Sequence, residues 1–201
     1  MAIDVGELQY QDWLNLVFNH DVTEEPWHFA DEWSLTCSNA PRLVGHLVHL
    51  FREPVKATDA FSSAQVDQGL WFIPGPNGFL WSWLDDKTPL SLRIECIQAV
   101  ESLYSQLFEV RSIGSSSYMW WDSVFTYCVF NGVSIVDNQN VLTAVVEVIA
   151  RQLKSQGAAT RDAAVHGVEH LIKIIRSTRS QKLRSIVESR IQLQPFGLTP
   201  D

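Results

Sequence analysis

The sequence predicts an all-α protein. Three observations carry that prediction. Apolar residues recur at three- and four-residue intervals along most of the chain. Several of these stretches open on a Ser, Thr or Asn placed to cap a helix, twice with a Pro close behind. Nowhere do two alternating apolar runs flank a tight Gly-containing turn, as a β-hairpin requires.

A first helix is expected over about Val5 to Asn19, where Leu8, Trp13, Leu14, Leu16, Val17 and Phe18 supply the apolar face. The acidic, aromatic stretch DVTEEPWHFADEW that follows reads as irregular around Pro26. Ser38 or Asn39 caps the next helix, which has Pro41 in its first turn and Pro54 just past its end. Another starts at Ser62 or Ser63 and stops at PGPNG, residues 74–78, the strongest break in the chain. The FLWSWL run behind it suits either a short strand or an aromatic helical turn. Thr88 as cap and Pro89 in the first position introduce a long helix through LSLRIECIQAVESLYSQLFEV. After the loop SIGSSS, YMWWDSVFTYCVFN leads to a helix opened by Asp137 or Asn138 and closed at Gly157. Two more run from about Thr160 to Arg176 and from about Ser180 to Leu193.

At 201 residues and 46% hydrophobic content the chain can bury a sizeable core without staples. A single domain over 1–201 is expected; a division around the PGPNG break would separate 1–73 from 88–193. Cys37, Cys96 and Cys128 are odd in number and widely spaced, which fits a reducing, cytoplasmic setting better than a disulfide framework. The opening MAIDVGELQYQDW is acidic and unlike a secretory signal, and no apolar run approaches a membrane span. Residues 1–100 hold 5 Lys/Arg against 14 Asp/Glu, whereas residues 101–201 hold 10 against 9. Such an acidic balance disfavours nucleic acid and anionic membrane as partners.

Two helical stretches echo each other. LRIECIQAVESLY and TRDAAVHGVEHLI align at an offset of 68, pairing Arg93 with Arg161, Val100 with Val168, Glu101 with Glu169 and Leu103 with Leu171. The pattern of an early arginine ahead of small and aliphatic positions resembles the second helix of HEAT-type repeats, over roughly residues 88–193. The resemblance to HEAT and armadillo proteins implies an α-α superhelix of stacked antiparallel helix pairs that serves as a binding surface. The offset of 68 departs from the roughly 40–47 residues of those units, so a compact helical domain is the other form expected.

HGVEH, residues 166–170, fits the inverted zinc-peptidase pattern. At about 100° per residue, however, His166 and His170 fall on the polar side of their helix, opposite Val168, Leu171, Ile172 and Ile175. The sister helix carries Gln98 and Ser102 in their place. In the peptidases the third ligand is a glutamate far downstream, and Glu188 is the sole glutamate after His170. Adventitious metal binding by His166 and His170 is therefore expected, with no resident metal and no cofactor. Nucleotide-binding and nucleophile-elbow motifs are missing from the sequence.

Two other features bear on function. Trp71, Trp81, Trp83, Trp120 and Trp121 form an aromatic group around and beyond the PGPNG turn. Neighbouring helical residues point about 100° apart, so Trp120 and Trp121 are not both expected to be fully buried. Near the C-terminus, Arg179, Lys182 and Arg184 make a basic patch suited to an acidic partner. The expected function is a non-catalytic protein–protein interaction module of HEAT-like type, in the manner of an inhibitor or immunity protein. The alternative is an enzyme with a pocket near residues 71–86 using His46, His49 or Asp85.

Overall fold

A computed structural model describes residues 2–23, 26–29, 34–75, 78, 80, 82, 85–130, 135 and 138–192. Among these the chain is mostly helical. The helices are α1 (Tyr10–Phe18), α2 (Ala40–Arg52), α3 (Pro54–Thr58), α4 (Ser63–Phe72), α5 (Leu90–Leu103), α6 (Ser116–Phe130), α7 (Gln139–Gln152), α8 (Ala158–Thr178) and α9 (Gln181–Glu188). Two three-residue strands, β1 (Ala2–Asp4) and β2 (Ser34–Thr36), pair in parallel with Ile3 opposite Leu35. No sequence signal marked them, because three residues are too few to display alternation.

Side-chain caps open four of these helices. Asn39 accepts a hydrogen bond from Arg42 N–H, Asn138 from Val141 N–H and Ser180 from Leu183 N–H. Ser62 forms a full capping box with Gln65. The expected cap at Thr88 is not made: Pro89 occupies that position, and the Thr88 hydroxyl is buried without a partner. The expected long helix from Leu90 also ends sooner, at Leu103, and passes into a π-turn over Tyr104–Phe108. There the Tyr104 hydroxyl donates to Ser117 O at 2.8 Å, tying the turn to the start of α6.

The helices form two rows. In one, α1 packs on α4, α4 on α6 and α6 on α8; in the other, α2 packs on α5, α5 on α7 and α7 on α9. Starts in the first row fall at residues 10, 63, 116 and 158, intervals of 53, 53 and 42. Those in the second fall at 40, 90, 139 and 181, intervals of 50, 49 and 42. The stretches that echo at an offset of 68 therefore sit in opposite rows, α5 in the second and α8 in the first.

Arg–Glu pairs span each step of the second row. Arg52 of α2 meets Glu95 of α5 at 2.9 Å, Arg151 of α7 meets Glu101 of α5, and Arg190, just past α9, meets Glu147 of α7 at 3.0 Å. Between the rows lies one apolar cluster extending from Val5 to Ile191. Phe51 of α2 meets Trp120 of α6 edge-on within it, at a centroid distance of 5.5 Å. Cys96 is buried in this cluster and Cys37 packs at its margin. Among the described residues no helix is long and apolar enough to cross a membrane.

Candidate functional site

The seam between α6 and α8 gathers the chain's most distinctive polar chemistry. On α6, Tyr118 and Asp122 stand four residues apart and so share a face; on α8, His166 and His170 do the same. Tyr118 stacks on His166 with ring centroids 4.5 Å apart, and Asp122 Oδ1 lies 3.1 Å from His170 Nδ1. The matching order of these contacts means that α6 and α8 run in the same direction. Helix α7, between them in the chain, returns the polypeptide. The two imidazoles meet edge to face at 4.8 Å.

Gly167 brings the two helices this close. A Cβ placed on it would come within 2.9 Å of the Trp121 Cβ, so only a residue without one fits. Ala163, one turn earlier, is likewise buried. The wheel that set both histidines opposite the core counted large apolar residues only. Ala163 and Gly167 widen the buried face of α8 toward the histidines, and α6 covers them. Their side chains are only 15% and 18% exposed, and that of Asp122 is 22% exposed.

Polar satisfaction within the site is uneven. Asp122 Oδ1 also accepts a hydrogen bond from Thr126 Oγ1 at 3.0 Å. Burial holds the His170 imidazole below the usual histidine range, against the opposing pull of the Asp122 carboxylate. Both ring nitrogens of His166 are shielded from solvent and make no hydrogen bond. The nearest acid, Glu169, has its carboxylate 3.6 Å from Nδ1 and is half exposed. One ligand-capable atom from each of Asp122, His166 and His170 lies within 4.8 Å of the other two.

The aromatic group divides differently from expectation. Trp120 and Trp121 are both fully buried, against the expectation that they would not both be. Trp121 meets Gly167 on one side, and its indole N–H donates to Gln152 Oε1 of α7 at 2.8 Å. Trp120 turns toward Phe51 and Phe108. A helix lodged between a neighbour in its own row and the facing row has two buried sides, so adjacent indoles can both be covered. Trp71 is half-buried at the end of α4. Trp81 and Trp83 lie outside the described residues.

The remaining candidates are placed as follows. His46 Nε2 sits 3.0 Å from Leu8 O, and its ring packs beside Tyr10 and Trp13. His49 also stacks on Tyr10, at 4.2 Å, with Nε2 3.7 Å from Glu53. Tyr10, His49, Glu53 and Lys56 line a cavity of about 330 Å³. Burial, then the Glu53 charge, pushes the Tyr10 hydroxyl up to about 12. Asp85 accepts from Lys87 N–H in its own turn. None of His46, His49 and Asp85 is hydrogen-bonded or ion-paired to another among the described residues. Arg179 caps α8 in the left-handed region at φ 50° and, with Arg176 and Arg184, lines a second cavity of about 330 Å³. Lys182 is exposed on α9.

Asp122 and Tyr118 carried no signal of their own in the sequence. Their spacing of four matches that of the histidines, but the pairing depends on the register between two helices. No protein-family model matches the chain, and neither the curated proteins nor the solved structures contain a significant match to it.

Proposed function

We propose that the chain is a non-catalytic protein-binding module, a short HEAT-like stack of helix pairs acting in the cytoplasm. The observation that carries this reading is the two-row packing at intervals of 42 to 53 residues. Rows of this kind bury each helix against its neighbours and leave elongated flanks for a partner. The second row neutralises much of its own charge through Arg52–Glu95, Arg151–Glu101 and Arg190–Glu147. The N-terminal end of the stack is acidic, with Asp12, Asp21 and Asp59 exposed near α1 and α3, while Glu53 there is paired with Lys56. A basic protein partner suits that end, and half-buried Trp71 supplies an apolar anchor. The enzyme alternative has less support, because His46 is engaged by a backbone carbonyl and the His49–Glu53 pair is open to water.

The test is capture from nuclease-treated lysate with the parent chain, Trp71→Ala and an Asp12→Lys/Asp59→Lys double variant. A single basic protein recovered near one-to-one by the parent, weakened in both variants and released by salt, is the expected result. Equal recovery by all three proteins would overturn the acidic surface, and an empty capture from folded protein would overturn the module.

A further inference from the structure

We propose that Asp122, His166 and His170 form a binding site for one divalent transition-metal ion of the Zn²⁺ class, held between α6 and α8. This inference stands apart from the protein-binding reading and rests on the seam alone.

The donor set comes first. Two imidazoles and one carboxylate suit Zn²⁺ and its transition-metal neighbours, whereas Mg²⁺ and Ca²⁺ favour oxygen donors. The histidines lie four apart on one helix, the arrangement that lets both rings face one ion, and the carboxylate arrives from the adjacent helix. In tetrahedral zinc coordination, donor atoms stand about 3.3 Å from each other. Asp122 and His170 already meet that spacing at 3.1 Å. The full set, within 4.8 Å, closes on an ion by a small rotation of side chains. With three protein ligands, the fourth position falls to water.

The second observation is His166. An imidazole whose two nitrogens are both shielded and not hydrogen-bonded forfeits its hydrogen bonds to water, and the half-exposed Glu169 carboxylate, 3.6 Å from Nδ1, is too distant to replace one. Packing alone would be served as well by an apolar ring stacked against Tyr118. A metal bond to one nitrogen removes that nitrogen's share of the penalty and gives the imidazole a purpose at that position. The supports are also those of a metal site. Tyr118 fixes the plane of His166, Thr126 holds the Asp122 carboxylate, and Gly167 fixes the helix separation. An ordinary ion pair between Asp122 and His170 would leave His166 with only the half-exposed Glu169 carboxylate, at 3.6 Å and beyond hydrogen-bond reach.

The test uses the full chain without a histidine tag, stripped with chelator and titrated with ZnCl₂ against a chromophoric competitor. About one equivalent of Zn²⁺ is expected to bind, Mg²⁺ is expected not to compete, and Co²⁺ should give the visible absorption of a four-coordinate site. Asp122→Asn and His166→Gln should each weaken Zn²⁺ by about tenfold or more, while His49→Gln leaves it unchanged. The Asn variant preserves side-chain shape, and circular dichroism of both metal-free variants confirms folding. Absence of uptake overturns the proposal. So does Zn²⁺ binding that Asp122→Asn leaves intact, which would mean an adventitious ion only, held by the histidine pair.

Discussion

Trp121 fills the junction of α6, α7 and α8, with its ring against Gly167 and its N–H on Gln152. Truncation to alanine opens a cavity there and strands a buried amide oxygen. Trp121→Ala should therefore cost about 3–5 kcal/mol. Trp121→Phe keeps much of the ring volume and loses chiefly the hydrogen bond, about 1–3 kcal/mol. Urea unfolding followed by far-ultraviolet circular dichroism measures both. An alanine variant within about 1 kcal/mol of the parent would be incompatible with a ring of zero exposure. Trp71, only half-buried, is the indole whose loss should leave stability largely intact. The distinction escaped the sequence because pairwise geometry along one helix says how far apart two rings point, not how many neighbours surround that helix.

Two helical glycines make opposite predictions about their helices. Gly45 in α2 has no atom within 4 Å of where a Cβ would sit, so Gly45→Ala removes backbone freedom at no steric cost. It should stabilise the protein by about 0.5–1 kcal/mol. Gly167→Ala places its methyl 2.9 Å from Trp121 and must push α6 from α8, at a cost of about 1–3 kcal/mol. Thermal melts of the pair check the signs, and a stabilised Gly167→Ala would show that the seam yields freely. Element starts marked by local chemistry were legible in the sequence: Asn39, Ser62, Asn138 and Ser180 each cap the helix they introduce. Features needing two distant segments were not. β1 and β2 are three residues each and thirty apart in the chain, and the Asp122–His170 contact depends on a register set by Gly167. The spacing of the rows was not legible either. An offset of 68 matched two amphipathic faces, while the packing that defines the rows recurs at 42 to 53. Helix faces in the two rows bury similar residues, so a pattern search confuses one row with the other.

A stack in rows can unfold piecemeal, since each unit contacts mainly its neighbours. Here several contacts work against that. Phe51 of α2 reaches Trp120 of α6, skipping the intervening pair, and Arg111 after the π-turn donates to Thr58 O, Phe61 O and Ser63 Oγ near the start of α4. Asp67 of α4 accepts from Ser116 N–H at the start of α6. These links cross the PGPNG break from 1–73 to 88–193, and the apolar cluster continues through it from Val5 to Ile191. A chain divided there would expose Phe51 on one side and Trp120 on the other. The two parts should therefore open together, with the slowest amides of α2, α5, α6 and α7 exchanging at free energies within about 1 kcal/mol of each other. Native-state hydrogen exchange with increasing denaturant measures this directly. Amides of α6 to α8 that stay protected after α1 and α2 have opened would mean that the long-range contacts are too weak to couple the rows, and that the stack behaves as a linear array.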